Sequence, residues 1–178
     1  FLALTLCMGT IQARTQTTLD YQSRIHPEIA SNFMVVSQNE HATEVGYDIL
    51  RKGGNAVDAS VAVGFALAVT LPRAGNLGGG GFILIYDEES EDISTIDYRS
   101  AAPIAATSDL FLKGESVVRF GHLVNAVPGS VAGLLKAHKD HGSLPLTELL
   151  KPAIRLARDG FEVTHDLNYA LEWAKESM

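Results

Sequence analysis

The stretch that decides the fold is Ala74-Gly75-Asn76-Leu77-Gly78-Gly79-Gly80-Gly81-Phe82-Ile83-Leu84-Ile85-Tyr86. Four successive glycines remove every side chain from residues 78–81, which permits positive φ and lets a second backbone or a ligand come very close. A phosphate-cradling Walker loop would continue with Gly-Lys-Ser/Thr, but the chain continues with Phe82-Ile83 and supplies no lysine. A dinucleotide fingerprint runs strand, glycines, helix, whereas the order here is helix, glycines, strand, so that class is also excluded. A tight loop packed against a neighbouring layer is therefore expected. Phe82 to Tyr86 is continuously apolar, the pattern of a strand covered on both faces.

Asp87 to Asp92 reads as a solvated acidic hairpin loop, and Ile93 to Arg99 as the returning strand. Side chains alternate along a strand, so Ile96 and Tyr98 share one face and Asp97 and Arg99 the other. Two roles stay open for Arg99 on the residues alone. It could form an edge pair with Asp97, worth little, or its guanidinium fork could hold a substrate carboxylate in bidentate fashion.

Upstream, Phe33-Met34-Val35-Val36-Ser37 is a β-type run. His41 to Lys52 places Val45 and Ile49 at helical spacing, with Tyr47 and Leu50 on the flank, and Gly53-Gly54 stops the helix through left-handed geometry. Asn55 opens a second helix, Ala56 to Val69, with Asp58 in its first turn at the positive end of the dipole. That helix is apolar on nearly every side and is expected to be buried between layers; it is too short, with Asp58 inside it, for a membrane span. Pro72 ends it.

Downstream, a helical turn is expected near Asp109-Leu110-Phe111-Leu112, and Pro128-Gly129-Ser130 looks like the entry to a helix over Val131 to Lys139, ended by Gly142. Ser130 is not in the Gly-x-Ser-x-Gly register of a nucleophile elbow and is expected to cap the helix. His138-Lys139-Asp140-His141 reads as a polar helix end complementing the dipole rather than a metal site. Leu146 to Asp159 forms the next helix, with Leu149, Leu150, Ile154, Leu156 and Ala157 as its apolar stripe and Gly160 as its stop; a final helix starts near Asp166.

Composition bounds the class. The 178 residues (19.1 kDa) are 46% hydrophobic and 20% charged, enough to build a core. Fourteen Lys+Arg against 21 Asp+Glu, a formal charge of -7 with no basic run, disfavour nucleic acid and anionic membranes as partners. A single cysteine excludes a disulfide scaffold and a Cys-based zinc site. Phe1 is not an initiator Met, and Phe1 to Met8 resembles the apolar region of a secretory signal, so residues 1–13 are expected to be a partial signal peptide that carries Cys7 away on cleavage. Residues 14–32, polar and aperiodic, are expected to be a flexible leader. A periplasmic or secreted location follows as an expectation.

In order, Gly53-Gly54-Asn55-Ala56-Val57-Asp58-Ala59, Ala74 to Phe82, Asp97-Tyr98-Arg99, Ala102-Pro103, Pro128-Gly129-Ser130-Val131-Ala132-Gly133 and Leu156-Ala157-Arg158-Asp159-Gly160 closely resemble the γ-glutamyltranspeptidase (glutathione hydrolase) family. The resemblance runs from about Phe33 to the end, and the joint order of six stretches is far more specific than any one of them. It implies an α/β layered fold, the N-terminal-nucleophile hydrolase αββα sandwich, present here as an incomplete fragment, with residues 33–178 the N-terminal portion of the large-subunit domain. It further implies a precursor that cleaves itself into two subunits. The nucleophile would be the new N-terminal Thr of the small subunit, downstream of Met178, with its own α-amine as general base.

Within the family's Asp-(Phe/Tyr)-Arg motif, Arg99 takes the place of the arginine that holds the α-carboxylate of the γ-glutamyl substrate. No catalytic residue, metal ligand or cofactor is implied within this chain, which by itself is expected to be inactive. Ser100 departs from the Glu that often follows the arginine. The expected activity is γ-glutamyl transfer from glutathione-like donors to water, amino acids or peptides, with the chain's own small subunit as partner. A cephalosporin-type acylase on the same scaffold and a noncatalytic interaction module are the alternatives.

Overall fold

The chain separates into two units, Phe1–Asn32 and Phe33–Met178. The computed structural model describes residues 28–113 and 122–175, so the expected signal segment and most of the expected leader lie outside the described residues. Within the first unit, residues 28–32 are exposed and carry no helix or strand. The second unit holds the elements described below.

Helix α1 spans Glu40–Arg51 and starts where Asn39 Oδ1 accepts from the Ala42 amide at 3.3 Å. It ends in paired glycines: Gly53, at φ +89°, donates to Leu50 O and Gly54 to Ile49 O, both at 3.0 Å. This is the left-handed stop that the sequence predicts, and it satisfies carbonyls the helix cannot pair itself. Helix α2, Ala56–Thr70, opens with a reciprocal capping pair in which Asn55 Oδ1 accepts from Asp58 N at 2.8 Å and Asp58 Oδ2 from Asn55 N at 3.0 Å. Val57, Ala59, Val61, Ala62 and Ala66 of α2 are buried, and the helix packs against α1 and two later helices. Phe65 and Val63 are only partly covered.

Strands β1 (Phe82–Asp87) and β2 (Asp92–Asp97) form an antiparallel ribbon in which Ile83 faces Ile96 and Leu84 faces Thr95. Ile83, Ile85, Ile96 and Tyr98 pack on a core that includes Ile49, Val61, Leu134 and Leu149. The other side of β1 is open: Phe82, Leu84 and Tyr86 are 65%, 72% and 61% exposed. Of the two covered faces expected for this strand, the described residues supply one. One helical layer among the described residues backs the ribbon, and an unbroken apolar run cannot by itself say which side has a neighbour. The expected strand at residues 33–37 is likewise absent. Among the described residues the two strands pair only with each other, and this segment instead meets α1 through side chains, with the Phe33 and Tyr47 rings 5.3 Å apart.

After a 3₁₀ turn at Ser108–Lys113, close to the expected helical turn, and a second at His122–Val124 come helix α3 (Ser130–His141), α4 (Leu146–Asp159) and α5 (His165–Lys175). The stripe of α4 is rotated from the expected one. Leu149, Pro152 and Ala153 face the core, whereas Ile154 is 48% exposed and Ala157 is also exposed. Pro152 lies in the second turn, and this helix packs against α2. Gly160 closes α4 at φ +82°.

Candidate functional site

Arg99 emerges just past the end of β2, and its position is set by its main chain. One residue earlier the ladder continues beyond the strand: Tyr98 N donates to Gly81 O at 3.0 Å and Gly81 N to Tyr98 O at 3.4 Å. Two residues later Ala101 and Val127 exchange both amide bonds, at 3.1 and 2.8 Å. Between them the Arg99 amide donates to Asp97 Oδ1 at 2.9 Å. The Asp97 carboxylate therefore binds the arginine's backbone. Among the described residues the guanidinium makes no ion pair and no hydrogen bond, so the Asp97–Arg99 side-chain pair left open by the sequence does not form. The result is an exposed, uncommitted fork on a fixed backbone, chemically suited to a planar carboxylate.

The glycines around residue 98 show why the strand end is so placed. A Cβ on Gly80 would lie 2.3 Å from Ser100 N, one on Gly129 2.0 Å from Tyr98 O, and one on Gly133 2.1 Å from Tyr98 Cγ. Of residues 78–81, Gly80 serves the expected close backbone approach, while Gly79 and Gly81 make room for the Asn76 and Tyr98 side chains; among the described residues only Gly53 and Gly160 are glycines at positive φ. The loop also closes the start of α3, where Gly79 O accepts from Gly129 N at 2.8 Å and Ser130 N at 3.0 Å. Ser130 is accordingly the first helical residue, not the expected cap. Gly129 holds the cap position with no side-chain cap bond, and the glycine loop's carbonyl binds the Gly129 and Ser130 amides instead.

Sequence inspection missed the second role of Asp58. Fully buried, it caps α2 and also accepts from Ser143 N, Ser143 Oγ and Leu144 N, tying α2 to the turn between α3 and α4. Burial acts to raise its carboxyl, but the hydrogen bonds from Ser143, Asn55 and Leu144 together outweigh burial and hold it below its ordinary value of 3.8. Only its local half, the Asn55-x-x-Asp58 spacing, could be seen in the sequence. Burial raises the phenol of Tyr98, which stays protonated at neutral pH. The His138 ring Nε2 lies 2.8 Å from Leu144 O, in keeping with a helix-end role, and among the described residues no cluster of three potential ligands could hold a metal.

A helical layer on one face of an antiparallel ribbon, with an arginine held at the ribbon's end, defines a layered α/β scaffold, and solved structures identify its class. The Helicobacter pylori gamma-glutamyltranspeptidase crystal structure matches with a TM-score of 0.78 and 37% identity, covering 85% of this chain and 44% of that one. A Bacillus halodurans cephalosporin acylase matches with a TM-score of 0.70 and 28% identity, covering 91% and 32%. The fold is that of the N-terminal-nucleophile hydrolases. The family description Gamma-glutamyltranspeptidase matches residues 42–178. The glutathione hydrolase proenzyme of Escherichia coli (strain K12) is 49% identical over 147 residues, 80% of this chain and 25% of that protein. The chain belongs to the gamma-glutamyltranspeptidase family. It spans about a quarter of the length of the curated relatives it matches.

Proposed function

We propose that this chain supplies the donor-binding arginine of an exported γ-glutamyl transferase or hydrolase that acts on glutathione-like γ-glutamyl amides. In this proposal residues 33–178 are the front portion of a large subunit that follows a signal segment and leader, and the partner is a small subunit released by self-cleavage. Arg99 grips the donor's α-carboxylate through its fork. A threonine outside this chain attacks the γ-carbonyl, with its α-amine taking the hydroxyl proton and returning it to the departing amine. Water or an amino group then attacks the resulting γ-glutamyl ester and regenerates the threonine. Arg99 contributes positioning rather than bond-making.

The observation that carries the proposal is the pinned main chain of Arg99, whose exposed guanidinium makes no ion pair or hydrogen bond among the described residues. The family match and the higher identity to the transpeptidase than to the acylase favour a γ-glutamyl donor over a cephalosporin side chain. In the full-length enzyme, Arg99→Lys is expected to raise the donor KM by about tenfold or more while self-cleavage proceeds, since a point charge cannot reproduce the bidentate fork. An unchanged KM rejects the assignment.

A further inference from the structure

Among the described residues no hydrogen bond or ion pair reaches the Arg99 guanidinium, so the main chain beside it sets where it emerges. Of the residues that pin this strand end, Tyr98 sends a large side chain towards the core and packs there. Its ring lies where a Cβ on Gly133 would stand 2.1 Å from Cγ, 2.3 Å from Cδ1 and 2.4 Å from Cβ, and where one on Gly81 would stand 2.8 Å from the hydroxyl. Its carbonyl occupies the space that a Cβ on Gly129 would fill. Three glycines, one from the loop before β1 and two from one face at the start of α3, thus form a slot shaped to residue 98. The bonds from Gly129 and Ser130 to Gly79 O join the glycine loop to the start of α3 beside it.

We propose that Tyr98 is a positioning residue for Arg99, and that the slot at Gly81, Gly129 and Gly133 exists to seat it, so that the guanidinium meets the donor carboxylate from one fixed direction. The proposal rests on the donor-binding role of Arg99 and adds the parts that aim it. An ordinary carbon–carbon contact is about 3.5–4.0 Å, so a methyl at Gly133 must drive the ring and strand end outward by more than about 1 Å. A displacement of that size is enough to spoil a two-point hydrogen-bonding geometry.

The test uses the full-length enzyme and two 4-nitroanilide donors, one γ-glutamyl and one 4-aminobutyryl, the second lacking only the α-carboxylate. Gly133→Ala is expected to raise KM for the γ-glutamyl donor by about tenfold with kcat within about threefold. For the 4-aminobutyryl donor, kcat/KM should equal that of the unsubstituted enzyme. Gly64→Ala, which crowds only the Leu134 side chain, at 3.0 Å, should show no selectivity between the donors. If Gly133→Ala does not fold, Tyr98→Leu empties the slot without adding volume and should show the same carboxylate-selective loss, with Tyr98→Phe restoring affinity. Equal losses on both donors, or no loss in Tyr98→Leu, overturn the proposal. The two levels separate cleanly: a silent Arg99→Lys removes the donor-binding role itself, whereas a damaging Arg99→Lys beside silent Gly133 and Tyr98 variants removes only the slot.

Discussion

Asp58→Ala tests whether one carboxylate joins three helices. In the structure that carboxylate accepts from Asn55 N at 3.0 Å, Ser143 N at 3.0 Å, Ser143 Oγ at 2.5 Å and Leu144 N at 3.2 Å, all in a fully buried position. The Asn55 cap on the residue-58 amide survives the substitution, but the hydrogen bonds to the charged carboxylate, which contribute about 1.5–3 kcal/mol each, are lost. The bonds to the 143–144 turn act as a unit and do not add fully. A loss of about 3 kcal/mol in urea unfolding at pH 7 is expected, with faster hydrogen exchange at the Ser143 and Leu144 amides. The acid dependence has a definite sign. The folded carboxyl titrates below its ordinary 3.8, so its contribution is fully present above about pH 5 and fades as pH falls below about 4. The advantage of the unsubstituted protein over Asp58→Asn should therefore be constant from pH 7 to 5 and shrink below 4. A loss under about 1 kcal/mol, or an advantage that ignores pH, refutes the junction.

Two glycine substitutions should differ sharply for reasons visible in the structure. Gly80→Ala places a methyl 2.3 Å from Ser100 N and 2.7 Å from Tyr98 O, both main-chain atoms that cannot swing aside, so a loss of about 3 kcal/mol or more and a collapse in folded yield are expected; full yield refutes the close approach. Gly160→Ala meets nothing within 4 Å and suffers only from its φ of +82°, so unfolding should register a loss of about 1–2 kcal/mol.

The helices were legible wherever their determinants are local. Asn55-x-x-Asp58 and Gly53-Gly54 mark the boundary between α1 and α2 within a few residues of chain, and the range Leu146–Asp159 agrees with the pattern that defines it. Facing was harder to read. The apolar run Phe82 to Tyr86 says that the strand avoids water but not that only Ile83 and Ile85 find cover here, and the stripe of α4 depends on small Ala153 and on Pro152, which periodicity undervalues beside Ile154. Phe33 to Ser37 has strand composition but pairs with no strand edge among the described residues. At the site, the motif singles out Arg99, but Gly129 and Gly133 acquire meaning only when α3 lies across residue 98, a contact between distant parts of the chain that no local pattern encodes.

The seat of Tyr98 also bears on the order of assembly. Gly81 is available as soon as the hairpin closes, but Gly129 and Gly133 come from chain made later, and bringing them in requires closure of a long loop whose entropy must be met before any contact repays it. The ribbon can therefore zip early as a local event while its arginine-bearing tip stays unaimed until α3 docks. If Arg99 has the proposed role, recognition of an acid group should mature as a late step during synthesis, and variants that slow this docking should yield polypeptide with native hairpin signals and no such recognition.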